Sequence, residues 1–180
     1  MPMEPDEARV ERKRRFLRRW QGGSLEERVA RAAELVLASR YTVALTGAGI
    51  STPSGIPDFR SPGSGLWEHA DPMEVASLAT FQARPQAFYE WVRPLTRTIR
   101  QALPNPAHVA LADLEQRDLL KTVITQNIDD LHQKAGSRTV LEVHGSLRDA
   151  TCMRCYAIVP TDSFVERFLE DGEVPRCPTC

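Results

Sequence analysis

The 180-residue sequence is 42% hydrophobic and carries a formal net charge of −1. That is enough apolar matter for one core, and no charge excess directs the chain to nucleic acid or an anionic membrane surface. No apolar run approaches the roughly 20 residues that span a bilayer, and the N-terminus lacks an apolar signal segment, so a soluble, cytoplasmic protein is expected.

Residues 1–23 read as a basic extension. Arg9, Arg12, Lys13, Arg14, Arg15, Arg18 and Arg19 crowd it, with Val10, Leu17 and Trp20 at roughly helical spacing. An arm for an anionic partner and a mitochondrial presequence are alternatives, the second weakened by Glu4, Asp6, Glu7 and Glu11. A solvated helix whose apolar edge docks on the body is preferred. Ser24 with Glu27 forms a capping box, and Val29, Ala32, Ala33, Val36 and Leu37 mark one face of the helix that follows.

Val43–Leu45 reads as a buried strand that runs into Gly47-Ala48-Gly49. Glycines there permit a tight turn and close approach of a ligand to the backbone. Residues after Gly49 can open a helix whose free N–H groups face that ligand, which makes an anion site. As a dinucleotide fingerprint the pattern is incomplete: Thr52 stands at the third glycine, and no acidic residue closes a second strand about twenty residues on. A βα turn without a ligand is equally compatible with the glycines alone. The next loop tips the balance. Pro53, Gly55 and Pro57 exclude a long helix, yet Ser51, Asp58, Phe59 and Arg60 place charge beside an aromatic ring, as in a shaped lid.

Trp67–Thr98 is helical in character and expected to break at Pro72, Pro85 and Pro94. Phe81, Phe88, Tyr89 and Trp91 concentrate aromatic surface there, most of it core. Asn105–His108 starts another helix, with His108 a structural residue of the helix start. Lys121–Thr125 is the second strand and ends in Gln126-Asn127-Ile128-Asp129. Polar side chains at that end of a strand sit where α/β sheets bind ligands. Helix capping would account for one aspartate but not for Gln126 and Asn127 as well. Thr139–Val143 is the third strand, ending in His144-Gly145. An imidazole there can take a proton near neutral pH.

Cys152-x-x-Cys155 and Cys177-x-x-Cys180 are separated by the 21 residues from Tyr156 to Arg176. Four thiolates at this spacing form a closed tetrahedral Zn²⁺ site with no open position, so the metal is structural. A redox role for the pairs is the lesser alternative. The expected fold is α/β, with a zinc-binding module over 151–180.

Gly-Ala-Gly-Ile-Ser at 47–51 and Gly-Ile-Pro-Asp-Phe-Arg at 55–60 closely resemble the signature of the sirtuins, the NAD-dependent protein deacylases. Gln126-Asn127-Ile128-Asp129, His144-Gly145 and the paired cysteines extend the resemblance over roughly residues 25–180. The resemblance implies a Rossmann-like, NAD-binding parallel sheet over residues 24–150 with a helical insertion at about 61–103. It implies that NAD is held by Gly47, Ala48, Gly49 and Ser51 at the phosphate turn. Asp58, Phe59 and Arg60 close over it, and Gln126, Asn127, Ile128 and Asp129 face the nicotinamide and its ribose. It implies that His144 is the general base, and that Cys152, Cys155, Cys177 and Cys180 hold structural zinc. The implied reaction transfers an acyl group from a protein lysine to ADP-ribose, releasing nicotinamide and O-acyl-ADP-ribose; the implied partner is an acylated-lysine protein or peptide. Members that prefer acidic acyl groups typically carry Tyr-x-x-Arg in the helical insertion. Here Arg93 falls one position late after Tyr89, which leans toward an acetyl or other uncharged group. A complete sirtuin continues past the fourth cysteine with a peptide-pairing strand and the adenosine-binding loops. The sheet is therefore expected to be incomplete at its C-terminal side and the chain weakly active on its own. Alternatives are a zinc-stabilised binding or regulatory fragment and a mono-ADP-ribosyltransferase. A hydride-transferring dehydrogenase is disfavoured by the missing ribose-binding acid.

Overall fold

The computed structural model describes residues 22–63, 65–68 and 71–180. The basic residues of the N-terminal extension, Arg9 to Arg19, lie outside them. The chain divides into two units, Met1–Thr42 and Val43–Cys180.

In the first unit the helix α1 spans Leu25–Ala38. Its capping box forms as the sequence requires: Glu27 N–H donates to Ser24 Oγ at 3.2 Å, and Ser24 N–H donates to the Glu27 carboxylate at 2.8 Å. No residue of α1 is buried, and Val29 and Leu37 on the expected apolar face are 59% and 66% exposed.

The second unit is built on three parallel strands in the order β1 (Val43–Thr46), β2 (Thr122–Thr125), β3 (Val140–Glu142). Leu45 pairs with Ile124 and Ile124 with Leu141, so these three side chains form one row on one face. On the other face Val123 and Thr125 are fully buried, whereas Leu45 and Leu141 stay exposed. The two faces are therefore unequal, although the strands themselves read alike in sequence.

Between β1 and β2 lie three short 3₁₀ turns (Ala48–Ile50, Thr52–Ser54 and Leu66–Glu68), then helices α2 (Pro72–Val75), α3 (Leu78–Ala83), α4 (Pro85–Gln101) and α5 (Pro106–Gln116). The helix expected after Gly49 is thus reduced to single turns: Pro53, inside the second, has no N–H with which to continue the first, and the left-handed Gly55 caps the second. Pro85 starts α4, where its missing N–H is no loss. Pro94, expected to break the helix, sits inside it. The cost of an interior proline is about 3 kcal/mol, so packing must offset it. Thr96 and Ile99 of the same helix are buried, and Ile99 joins Ile56, Ala102 and Leu131 in the core, with Leu95 and Leu147 against it.

After β2 come α6 (Leu131–Lys134) and β3. The chain then forms the antiparallel hairpin of β4 (Asp149–Thr151) and β5 (Ile158–Pro160), and the helix α7 (Asp162–Asp171). Arg93 of α4 donates from Nε and Nη2 to the Leu169 carbonyl at 3.2 and 2.8 Å, and from Nη2 to the Glu170 carbonyl; Arg97 donates to Leu169 as well. Both guanidiniums thus satisfy carbonyls that the end of α7 leaves open. Tyr89 and Phe168 add an edge-to-face contact at 5.3 Å between ring centroids.

Beneath the sheet's buried face, His108 of α5 and His132 of α6 pack ring edge to face, centroids 4.9 Å apart. Burial holds both imidazoles below their ordinary pKa; His108 adds to the effect on His132, and Asp129 opposes it on both. The folded protein therefore binds fewer protons here than the unfolded chain. Their contribution to stability is fully present above pH about 6.5, the value for an unfolded histidine, and is lost as pH falls from there through the lowered folded values. Urea midpoints should be level from about pH 8 to 6.5 and then decline, with the decline between about 6.5 and 5 flattened in a His108→Asn/His132→Gln double variant.

Candidate active site

The C-terminal ends of all three strands open on one hollow. β1 delivers the Gly47–Ser51 turn, β2 delivers Gln126–Asp129 and β3 delivers His144. A cavity of about 270 Å³ is lined by Ala48, Ser51, Phe59, Gln126, Asn127, Ile128, Asp129 and His144, together with Ile56, Pro57, Leu66, Leu95 and Ile99. A more open hollow beside it adds Gly49, Asp58 and Arg60 to some of the same residues. Ligand clefts at the carboxyl ends of parallel strands are the rule in α/β sheets.

A chain of hydrogen bonds fixes the floor. Asn127 Nδ2 donates to the Gly47 carbonyl at 3.1 Å and to Ser51 Oγ at 3.0 Å. Ser51 Oγ donates to Asp129 Oδ2 at 2.6 Å, and Asp129 Oδ1 accepts the Leu131 N–H at 3.0 Å. Ser51 and Asp129 are only 1% and 5% exposed. The carboxamide, the hydroxyl and the carboxylate therefore lock the glycine turn to the end of β2. Removing the hydroxyl leaves a buried carboxylate oxygen short of a donor, at a cost of about 1–3 kcal/mol. Ser51→Ala should lower the unfolding free energy by that amount, seen as a lower urea midpoint with the slope of the transition unchanged.

His144 is exposed, and its Nδ1 lies 2.9 Å from the Gln126 carbonyl. A carbonyl only accepts, so Nδ1 must carry the hydrogen and the neutral ring keeps its lone pair at Nε2. The same contact ties the ends of β2 and β3, alongside the bond from Val143 N–H to the Thr125 carbonyl at 3.0 Å.

Of the lid residues, Phe59 reaches the cavity. Asp58 turns back on its own loop, where its carboxylate accepts the Ser61 hydroxyl, the Ser61 N–H at 2.8 Å and the Arg60 N–H at 3.1 Å. Those bonds, the Ser61 hydroxyl first, hold its pKa below the usual carboxylate value. The structure also brings in residues that sequence reasoning leaves out. Asn105 Nδ2 donates to the Ile50 carbonyl at 2.7 Å and to Ser54 Oγ at 2.9 Å, so the cap of α5 also braces the glycine turn. Its place before Pro106 signals the cap but not the brace. Ile56, Leu66, Leu95 and Ile99 wall the cavity, and only the apolar spacing along α4 hints at the last two.

The four cysteine sulfurs lie within 4.8 Å of one another, with Cys152–Cys180 at 3.7 Å and Cys155–Cys177 at 3.6 Å. Tetrahedral Zn–S bonds of about 2.3 Å require sulfurs about 3.8 Å apart, so the set fits that ion. Cys177 is pulled down to about 6 by the N–H groups of Thr179 and Cys180, while neighbouring Cys155 and Cys152 push Cys180 up to about 12. Sulfurs this crowded cannot all ionise without a cation among them. Among the described residues no helix is long and apolar enough to cross a membrane.

Residues 47–180 match the Sir2 family. NAD-dependent protein deacetylase 2 of Caldanaerobacter subterraneus subsp. tengcongensis is 49% identical over 150 residues, covering 83% of this chain and 60% of that protein. NAD-dependent protein deacylase 2 of Archaeoglobus fulgidus is 48% identical over 156 residues, 87% of this chain and 60% of that one. A solved structure reported under "Structural Basis for the Mechanism and Regulation of Sir2 Enzymes" superposes with a TM-score of 0.78 at 48% identity, covering 87% of this chain and 61% of that chain. The chain thus spans about 60% of the length of these relatives.

Proposed function

We propose, from the premise that this chain belongs to the Sir2 family, that it carries the nicotinamide-facing half of an NAD-dependent protein-lysine deacetylase. The observation that carries the reading is the convergence of His144, Asn127 and the Gly47 turn on one cavity. When bound, NAD supplies an ADP-ribose group that accepts the acyl oxygen as nicotinamide leaves. The chain's own residues do the rest. Asn127, Asp129 and Ser51 form a polar end that holds the nicotinamide side; Ala48 and Gly49 offer backbone to the phosphates. Phe59 and Ile128 exclude water from the reacting centre. His144 Nε2, free of its own hydrogen, takes a proton from a ribose hydroxyl, which frees that oxygen for attack on the acyl carbon.

Among the described residues, no lysine or arginine lines the apolar cavity. Arg93 is engaged with the end of α7, and Tyr89 lines a separate hollow against the zinc module. Both facts support an acetyl or other uncharged acyl group over a dicarboxylic one. The reading includes an acylated-lysine protein as substrate and a cytoplasmic location. With NAD and an acetyl-lysine peptide, the protein should release nicotinamide and yield unmodified peptide at equal rates. ADP-ribosylated protein without deacetylation would favour a transferase instead, and reduced NAD would overturn the reading.

A further inference from the structure

Arg148 does not line the cavity just described, yet its guanidinium joins two of the segments that do. Its Nη1 donates to the carboxylate of Asp130 and, at 3.1 Å, to Glu142 Oε1; its Nη2 donates to Glu142 Oε2. Such a two-pronged bond fixes orientation as well as charge. Asp130 directly follows Asp129 and takes a left-handed backbone, φ +60°. Glu142 ends β3, two residues before His144, and its carbonyl accepts the Gly145 N–H at 3.2 Å. Each carboxylate thus sits at the root of one segment that faces the cavity. Their side chains are only 21% and 15% exposed. Arg148 is itself anchored: its carbonyl accepts the Thr161 N–H at 2.8 Å, and the preceding Leu147 packs on the Ile56–Ile99–Leu131 core.

We propose that Arg148 is a positioning residue: by bonding Asp130 and Glu142 at once, it keeps the Asn127–Asp129 segment and the His144 segment in the one arrangement in which both face the same hollow. The link to catalysis rests on the deacetylase reading, whereas the geometric coupling does not.

The physical reason is the behaviour of two facing carboxylates. A guanidinium between them offsets their mutual repulsion. Without it they must part or share a proton. The forces are already visible at Asp130, where burial and Glu142 raise the pKa and Arg148 lowers it. Other charges surround the cluster. Lys134 acts on Asp130 and Asp149 on Arg148, Asp129 adjoins, and Arg100 and Asp162, paired with each other, line the same crevice. Gln133 Nε2 donates to Glu142 Oε1 at 2.8 Å, which steadies that carboxylate but brings no charge.

The test is amide exchange in the zinc-loaded chain, which needs no NAD and so separates this inference from the deacetylase reading. In Arg148→Met at about pH 8, exchange at residues 129–131 and 143–145 should run about tenfold faster than in the unaltered protein, the equivalent of one network bond, while residues 96–99 of α4 are unmoved. At about pH 5.5 the ratio should fall toward one, because the carboxylate pair takes up a shared proton. Adding Glu142→Gln to Arg148→Met should remove that pH dependence. A ratio near one at pH 8, a ratio independent of pH, or loosening spread through α4 would each overturn the proposal. Should Arg148→Met fail to fold, Arg148→Lys keeps the charge without the fork. It should show a smaller ratio that is still larger at pH 8 than at 5.5, and equal exchange at both would count against the idea.

Discussion

His144→Ala is expected to lower deacetylation by about 10²–10⁴-fold in kcat, the range for loss of a positioned general base, while the cysteine cluster keeps its zinc. The expectation comes from one contact. The Gln126 carbonyl, 2.9 Å from Nδ1, dictates the tautomer, so the lone pair is at Nε2 without any energy spent on reorienting the ring. The Gln126 carbonyl is main chain, placed by the bond from Gln126 N–H to the Thr46 carbonyl at 3.0 Å. The base is therefore oriented by the sheet rather than by a mobile side chain. Alanine removes the proton acceptor and the one contact from Nδ1 to the Gln126 carbonyl, while the main-chain bonds from Gln126 N–H to Thr46 and from Val143 N–H to Thr125 still join the strand ends. Steady-state turnover with an acetyl-lysine peptide, together with metal content and melting temperature, checks all three parts. Turnover within a few-fold of the unaltered protein would remove His144 from the role, and loss of zinc would show that the change was structural.

Much of this site is legible without the fold, for reasons that are local. The three strands follow, to within a residue at their ends, from short apolar and β-branched runs, and parallel pairing carries Gly47, Gln126–Asp129 and His144 to the same rim. Cysteine spacing reports a tetrahedral cage without help from the rest of the chain. What stays hidden depends on distant partners. Pro94 looks like a helix breaker because its ring opposes the helix locally, but burial of Thr96 and Ile99 outweighs that. Arg93 reads as one position late for an acyl-pocket arginine, but that it serves the open carbonyls of α7 instead is visible only in the fold. Ser51 is legible as a lid residue, whereas its bond to Asp129, 78 positions away, is not. His108 reads as a structural residue of a helix start, and its ring accepts the Asn105 N–H as that reading requires, but its packing against His132 is not legible; Arg148 and His132 carry no motif, and only the fold gives them partners. The apolar face of α1 is plain as a pattern, yet a pattern does not say that the face is covered, and none of its residues is buried.

Removal of the metal should have the largest effect on structure. Residues 149–180 hold a hairpin of two three-residue strands, and Tyr156 and Ile158 are 77% and 71% exposed. A two-stranded hairpin with little core is marginal in water, so the cysteine cluster must supply most of the order. Structural zinc contributes about 10–16 kcal/mol in small metal-bound domains near neutral pH, far more than the hairpin's own contacts. Chelation, or Cys177→Ser, is therefore expected to melt the knuckles and hairpin, with loss of protection at Cys152 N–H and Tyr156 N–H, whose bonds to Ala157 and Cys152 carbonyls are 2.9 Å each. The helix α7 should outlast them, because Val165 and Phe168 are buried and Arg93 and Arg97 hold its end to α4. Amide exchange before and after chelation distinguishes this ordered loss from global unfolding. Readdition of zinc should restore both protection and the melting temperature. If chelation changes neither, and the four sulfurs instead pair on mild oxidation with the fold intact, the cysteines serve redox chemistry and not a metal.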